Sequence, residues 1–555
     1  MVKIVSTEES YECNAEPTRP DDSFHILDST LRDGAQREGI KLTVAGKLEI
    51  SRCLDEFGVG FIEGGWPGAS PRDTEFFSRA AAELDLKRAQ LVAFGATRRP
   101  GTTAEEDPLM AALVAAGTSV VTIVAKSHDR HVELALRTTL DENLAMVRDS
   151  VAYLRGFGIR VFVDCEHFFD GYKSNPEYST AIVRTAHEAG ADVVVLCDTN
   201  GGMIPAQVNA VVGRVFTSTS ARLGIHAHDD SGCAVANTLT AVDAGVTHVQ
   251  CTANGYGERV GNANLFPVVA ALELKCGRRV LPQGALGEMT RISRAIADVM
   301  NLPPASHQPY VGVSAFAHKA GVHASAIKVQ PYLYQHIQPE LVGNRMRTLV
   351  SDMSGRASVE LKSQELGYKL AGDRELMGRI VARVKEKEKE GYSYEAADAS
   401  FELVLRDEIC AGQQRYFHLE SWQVIAGRAP SGEENCEATV MLWVAGERIE
   451  AKIEGDDPVN TLDAALCAAL EKTYPQVGTF EVIDYKVRML EGHRDAESIT
   501  QILIDTCAVR ASWSTVGVGA NIISASLQAL EDSYNYGLLR AGVQLPSDGL
   551  ADLNA

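Results

Sequence analysis

Along the first half of the chain, short apolar, β-rich runs alternate with longer stretches whose apolar residues recur every three or four positions. The runs are Phe24–Asp28, Gly60–Gly64, Ala89–Gly95, Ser119–Ala125, Ile159–Cys165, Ala191–Cys197, Leu223–His228 and Thr247–Ala253. Helical periodicity fills the intervals, as at Val44–Phe57, Asp141–Gly156, Thr180–Ala189, Ala206–Thr217 and Ala234–Ala244. Strands that alternate with helices pair in parallel and are buried on both faces, so they read as nearly continuous apolar runs. Eight such repeats, close to the ~250 residues of a closed barrel, predict an α/β fold, a (β/α)8 TIM barrel over residues 23–280. A doubly wound sheet is the alternative. Residues 1–22 read as a flexible leader.

Residues 281–395 read as helical linker subdomains, broken at Pro303-Pro304 and Gly343. The run Lys385–Glu390 is most simply a solvated helix end, and Gly391–Ser400 reads as a linker. The rhythm then changes. Phe401–Arg406, Phe417–Ile425, Glu437–Val444 and Glu447–Ile453 predict strands ahead of a helix at Val459–Thr473. Strands near Thr479–Met489 and Thr500–Val509 and a helix near Ile522–Tyr534 follow. Two strand-rich blocks, each closed by a helix, predict a duplicated α+β domain over 400–545.

Composition narrows the classes. With 45% hydrophobic and 23% charged residues, the 555-residue chain is ordinary globular protein, neither disordered nor fibrous. A net charge of −21 disfavours a polyanionic partner, so no nucleic acid is expected, whereas a small anionic substrate is still compatible with a local positive site. Eleven cysteines without a C-x-x-C pair suit a reducing compartment better than a disulfide framework or a zinc ribbon. No apolar run approaches membrane-spanning length and the N-terminus has no apolar signal core, so no membrane partner and a cytoplasmic location are expected.

In a TIM barrel, catalytic groups sit at the C-terminal ends of the strands. Asp28, Arg32, Asp33, Glu63, Glu166, Asp198-Thr199-Asn200, His226, His228 and Asn254 all fall at such ends. Alternate residues of a strand share a face, so His226-Ala-His228 offers two imidazoles to one divalent cation. An H-x-H alone is as readily a buried or surface histidine pair. Asp33, after strand 1, and Asn262, in Gly255–Asn262, add oxygen donors, and barrel closure makes strands 1, 7 and 8 neighbours. The mixed N/O set fits Mg²⁺, Mn²⁺ or Zn²⁺. Arg32 beside Asp33 would set a permanent cation next to that metal, suited to an α-keto acid and to developing oxyanion charge; a structural ion pair is the plainer reading. Gly255–Gly261 and Gly517–Gly519 lack the spacing of a dinucleotide fingerprint.

Four separated motifs, Asp28-Ser-Thr-Leu-Arg-Asp-Gly34, His226-Ala-His-Asp-Asp230, Gly255-Tyr-Gly-Glu-Arg-Val-Gly-Asn262 and Ala320-Gly-Val-His323, occur in the order found in the DRE-TIM metallolyases. More narrowly the chain resembles the 2-isopropylmalate, homocitrate and citramalate synthases over essentially all of 24–540. Ile62–Gly68 and the overall length are similar to the long-form citramalate synthases. The resemblance implies metal ligation by Asp33, His226, His228 and Asn262. It implies catalytic roles for Arg32, Glu166, His323 and Tyr334, and substrate contacts from Arg32 and Thr199. Asp164 stands where relatives carry Ser or Tyr, on the keto-acid side of the pocket. Glu63 and Trp66 are placed at the mouth after strand 2, Glu63 as a substrate contact. Trp66 is expected mainly to pack, and its bulk favours a small keto acid.

The implied activity is an acyltransferase that joins acetyl-CoA to pyruvate and releases (R)-2-methylmalate (citramalate) and coenzyme A. The implied C-terminal domain is regulatory, with isoleucine bound between paired subunits of a homodimer. Helix starts near Pro458 and Asn521 are candidate carboxylate sites. The alternatives are a 2-isopropylmalate or homocitrate synthase, a lyase of the same barrel, and a non-catalytic amino-acid sensor.

Overall fold

A computed structural model describes residues 22–351, 353–370, 372–428, 434–490, 499–509 and 511–545. The leader predicted over 1–22 lies, but for Asp22, outside the described residues. The chain divides into two compact units, residues 1–316 with 337–345, and 317–336 with 346–555.

The first unit is a closed, all-parallel eight-stranded barrel in the order β1 to β8. Its strands are β1 (His25–Asp28), β2 (Phe61–Gly65), β3 (Gln90–Ala96), β4 (Val120–Lys126), β5 (Arg160–Glu166), β6 (Val193–Asp198), β7 (Leu223–Ala227) and β8 (His248–Cys251). The predicted TIM barrel is therefore present, each strand within a few residues of its predicted position. Pairing of β1 with β8, Asp28 opposite Cys251, closes the ring.

Strand parity sorts side chains into two cores. In β6, Val193, Val195 and Cys197 face the barrel interior with Leu27, Phe61, Val92, Val120 and Phe162. Val194 and Leu196 face the surrounding helices. Both faces are dry, which is why the strands read as unbroken apolar runs. The helices carry their own start signals. Thr43, Ser70, Asp107, Thr139 and Asn175 each accept a backbone N–H as N-cap, with Pro71, Pro108 and Pro176 in the first turn.

The barrel's N-terminal end is plugged by a buried histidine pair. Nδ1 of His25 lies 3.1 Å from Nδ1 of His248, and His25 Nε2 meets Asp22, itself bound by Arg160. One of the two facing nitrogens must carry a proton and the other a lone pair. Two imidazolium rings would therefore oppose each other inside a cage of Phe61 and Phe162.

In the second unit, β9 (Ala317–His318) pairs with β10 (Arg347–Thr348). Helices Gly321–Val329, Arg356–Glu365 and Arg374–Lys389 follow in part the predicted helical linker, and Lys385–Glu390 does end a helix. Residues 302–320 and 330–351 run mostly in turns instead, because Pro303, Pro304, Pro309, Pro331 and Pro339 supply no backbone N–H.

Two three-stranded antiparallel sheets follow. The first is β11 (Phe417–Arg428), β12 (Glu434–Val444) and β13 (Glu447–Gly455), closed by helix Pro458–Leu470. The second is β14 (Glu481–Leu490), β15 (Ile499–Ala508) and β16 (Ala511–Gly519), closed by helix Ile522–Arg540. This is the predicted duplicated α+β unit, with two corrections. Phe401–Arg406, predicted as a strand, lies in helix Asp398–Ile409. Its alternating apolar residues serve a helix covered on two sides: Phe401 and Leu405 enter one core cluster and Ala399 and Leu403 another. β16, whose Gly517 and Gly519 carry no strand signal, is the other. A Cβ on Gly517 would fall 2.0 Å from the Ala525 carbonyl, so glycine lets this strand press against the helix backbone.

The helix starts at Pro458 and Asn521 are capped by their own side chains. Asp457 already accepts from the amides of Val459 and Asn460, and Asn521 from that of Ser524. Among the described residues no helix is long and apolar enough to cross a membrane, and the ten described cysteines are free.

The histidine plug makes a pH prediction. Burial, then the Arg222 charge, lowers His25 from 6.5 to about 4, and burial pushes His248 well below its ordinary value. The unfolded chain binds these protons first, so stability is full above pH ~6.5 and falls as pH drops toward 4, by roughly 3 kcal/mol for His25. Urea unfolding between pH 7 and 4 is expected to show this slope, and His248→Phe to flatten it.

Candidate active site

Parity in the strands aims a set of polar side chains at the C-terminal mouth of the barrel. Phe94 of β3, Val124 of β4, Asp164 and Glu166 of β5 and His226 of β7 are in phase with the interior core residues. They line a cavity of about 270 Å³ together with Arg32, Asp33, Trp66, Thr199, His228 and Arg259. That volume lies just below the ~300–1,000 Å³ usual for ligand sites.

Asp33 is the hub. Its Oδ2 lies 3.3 Å from His226 Nε2, 3.6 Å from His228 Nε2 and 3.5 Å from an Arg32 nitrogen. All three ligand-type residues are buried, and their donor atoms lie within 4.8 Å of one another. Burial alone would favour a protonated Asp33. The charges of Arg32, His226 and His228 outweigh it and hold the carboxyl well below the usual carboxylate range. Burial likewise opposes protonation of His226, yet Asp33 outweighs it and raises the imidazole, whereas burial and the His226 charge lower His228 to about 4.

Asn262 completes the constellation. It reaches His228 through an isolated bridge, and its Nδ2 lies 3.1 Å from Asp33 Oδ2 and 3.2 Å from His226 Nε2. Its Oδ1 is buried with no partner. Half a turn of the amide sets that oxygen where the nitrogen stands, beside the three other donors. Two imidazole nitrogens, a carboxylate and an amide oxygen fit a divalent cation of the Mg²⁺, Mn²⁺ or Zn²⁺ kind.

Arg32 is held from below and behind. Its Nε donates to Glu63 Oε2 at 2.7 Å, an oxygen that also accepts from Ser29, and its guanidinium lies 4.0 Å over the Phe94 ring. The acidic neighbours raise the Arg32 pKa against its burial. Glu63 is wholly buried inside β2 and is not among the residues lining the cavity, so the structure moves it from the mouth, where it was expected, to a position behind Arg32. Trp66 does line the cavity, its ring edge-on to Phe94 at 5.4 Å, beyond the mainly packing role expected of it.

The remaining wall is acidic and hydroxylic. Burial, then the Glu63 charge, raises the Asp164 carboxyl to about 7. Glu166 pairs with Lys126. Thr199 Oγ1 accepts from the His167 amide at 2.9 Å, which leaves its O–H free to donate into the cavity. Asn254 and Asp28 stay structural. The Asn254 amide oxygen accepts from Ser293 and Gln308, and Asp28 braces Thr30 and the Ala253 amide. His323 and Tyr334 belong to the second unit, where their rings stack at 4.2 Å; His318 lies 6.3 Å from His323.

Sequence reasoning missed Phe94, Val124, Lys126 and Gln250. The signal was strand parity: Gln250, like His248 two residues before it, is a polar residue in phase with the barrel interior.

Fold and site together define a TIM-barrel protein of the HMGL-like class with a candidate divalent-metal centre. The HMGL-like family matches residues 23–296, the homocitrate synthase post-HMGL domain-like family 310–391, and the LeuA allosteric (dimerisation) domain 395–538. An (R)-citramalate synthase of Streptomyces coelicolor is 69% identical, over 94% of this chain and 98% of that one. Another from Synechocystis is 46% identical over 93% and 96%. A 2-isopropylmalate synthase of Aquifex aeolicus is 29% identical over 94% and 96%. The chain belongs to the (R)-citramalate synthase family.

The loop carrying Asn262 yields a prediction. Gly257 has φ +153°, and a Cβ there would fall 1.8 Å from Asn262 Oδ1. Gly257→Ala is expected to displace Asn262 and weaken Mn²⁺ binding by about tenfold or more in calorimetric titration, with an unchanged far-UV spectrum.

Proposed function

We propose that the chain condenses acetyl-CoA with pyruvate and hydrolyses the thioester, yielding (R)-citramalate and coenzyme A. The observation that carries this reading is the convergence of Asp33, His226 and His228 beside Arg32 in a small cavity walled by Trp66 and Phe94. Asp33, His226, His228 and Asn262 would hold a divalent cation, which when bound supplies Lewis-acid polarisation of a keto oxygen.

The chain's own groups do the rest. Arg32, fixed by Glu63, sits where negative charge develops on the keto oxygen and costs no reorganisation when it does. The Thr199 hydroxyl binds the keto-acid carboxylate. Trp66, Phe94 and Val124 leave room for a methyl group in place of a branched chain. The proton leaving the acetyl methyl goes to a general base, a role for which the family resemblance offers His323, Glu166 and Tyr334. The freed electron pair makes the bond to the keto carbon while the carbonyl π pair moves to oxygen, which is then protonated. Water adds to the thioester carbon, and coenzyme A leaves as the thiol, which draws the condensation forward. The carboxyl groups of Asp164 and Glu166 face this chemistry from the cavity wall.

The C-terminal domain is the expected place of homodimer formation and of feedback by isoleucine, whose pathway the product would feed. Its match to an allosteric dimerisation family supports pairing and effector control.

Coenzyme A release with pyruvate, 2-oxoisovalerate and 2-oxoglutarate tests the acceptor. Pyruvate is expected to lead by at least about a hundredfold in kcat/KM, and Trp66→Ala to narrow the gap to 2-oxoisovalerate. Preference for 2-oxoisovalerate would make the chain an isopropylmalate synthase. Asp33→Ala is expected to abolish metal-dependent turnover; turnover that survives it would remove the metal from the reaction. Repeating the panel with isoleucine and leucine tests the effector. A solution mass of one chain would overturn the dimer.

A further inference from the structure

Gln250 lies in β8 with 1% exposure, its side chain in phase with the barrel interior. Its Oε1 is 2.8 Å from His226 Nδ1, and its Nε2 donates to Asp164 Oδ1 at 2.8 Å. Three strands, β5, β8 and β7, thereby share one buried chain of hydrogen bonds from the cavity wall to the imidazole facing Asp33. An amide has one donating and one accepting end. The Asp164 oxygen takes the donating end, so the accepting end meets His226, and only a proton on Nδ1 satisfies it. Nε2, 3.3 Å from Asp33 Oδ2, is then the nitrogen that can give up a proton and ligate a cation. An imidazole free to exchange tautomers would spend part of its time with a proton on that nitrogen, unable to ligate.

We propose that Gln250 is a positioning residue that holds His226 as an Nε2 ligand and ties its orientation to the Asp164 carboxyl in the keto-acid wall. The proposal rests on the metal reading given above. Gln250 touches neither substrate nor cation. It acts through the two groups it joins, so its loss affects metal affinity while a change at its donor end affects the keto-acid side.

The test is Co²⁺ titration of the purified full-length protein, followed by visible absorption of the bound ion, with pyruvate kinetics alongside. Gln250→Met removes both hydrogen bonds at similar volume. It is expected to weaken Co²⁺ binding by about 10–100-fold and to alter the absorption band. Gln250→Glu keeps an acceptor for His226 but turns the donor facing Asp164 into a second acceptor. It is expected to bind Co²⁺ within about threefold of the parent while raising the KM for pyruvate about tenfold. If Gln250→Met does not fold, this split in Gln250→Glu decides alone. Parent-like affinity in Gln250→Met, or unchanged affinity together with unchanged KM in Gln250→Glu, overturns the positioning role. Failure of the parent protein itself to bind Co²⁺ overturns the metal reading instead, so the two failures are told apart.

Discussion

Everything at the mouth of this barrel depends on Asp33 staying ionised in a dry site. A buried carboxylate is costly unless charge surrounds it. Here an arginine and two imidazoles do so from three directions, the guanidinium at 3.5 Å and the two ring nitrogens at 3.3 and 3.6 Å. The buried Arg32 guanidinium would likewise be costly without the carboxylates beside it. Each partner is therefore tolerable only in the presence of the others, and together they form a centre with donor atoms turned inward. A divalent cation is the natural completion of such a set, since it satisfies the carboxylate and both lone pairs at once.

Around that centre the protein places rigid supports. Glu63 has no opening to the cavity, yet it fixes the guanidinium that the cavity needs, and Ser29 in turn holds Glu63. Gly257 and the loop after β8 fold tightly enough to bring Asn262 back over the strand ends. Reacting groups held by strands and by buried partners lose little entropy when substrate arrives, which is the physical basis of pre-organisation. At the opposite end of the barrel the His25–His248 pair plays a purely structural part, in keeping with a division between a reactive C-terminal face and a stabilising N-terminal one.

The C-terminal sheets follow different physics. They are antiparallel, each with a helix on one face, so alternation and turn residues mark them in place of continuous apolar runs. Their dry faces form a core of their own, built on Ala438, Val440, Leu442, Ile502 and Ile504 with the two closing helices.

Local pattern by itself determined the eight barrel strands, most of their helices and the doubling of the C-terminal unit, because dry two-faced strands and capped helices leave periodic signatures in the chain. It also marked Asp33, His226, His228 and Asn262, since strand ends and H-x-H spacing are local features. What only the tertiary structure decided are the relations between residues far apart in sequence. Barrel closure sets Asn262 against Asp33 across 229 residues, turns Glu63 away from the cavity and onto Arg32, and lets Gln250 join Asp164 to His226. It was also tertiary packing that made a helix of Phe401–Arg406, whose alternating residues fit either a strand or a helix covered on two sides. A short apolar run states only that it must be buried; the surfaces that bury it choose its shape.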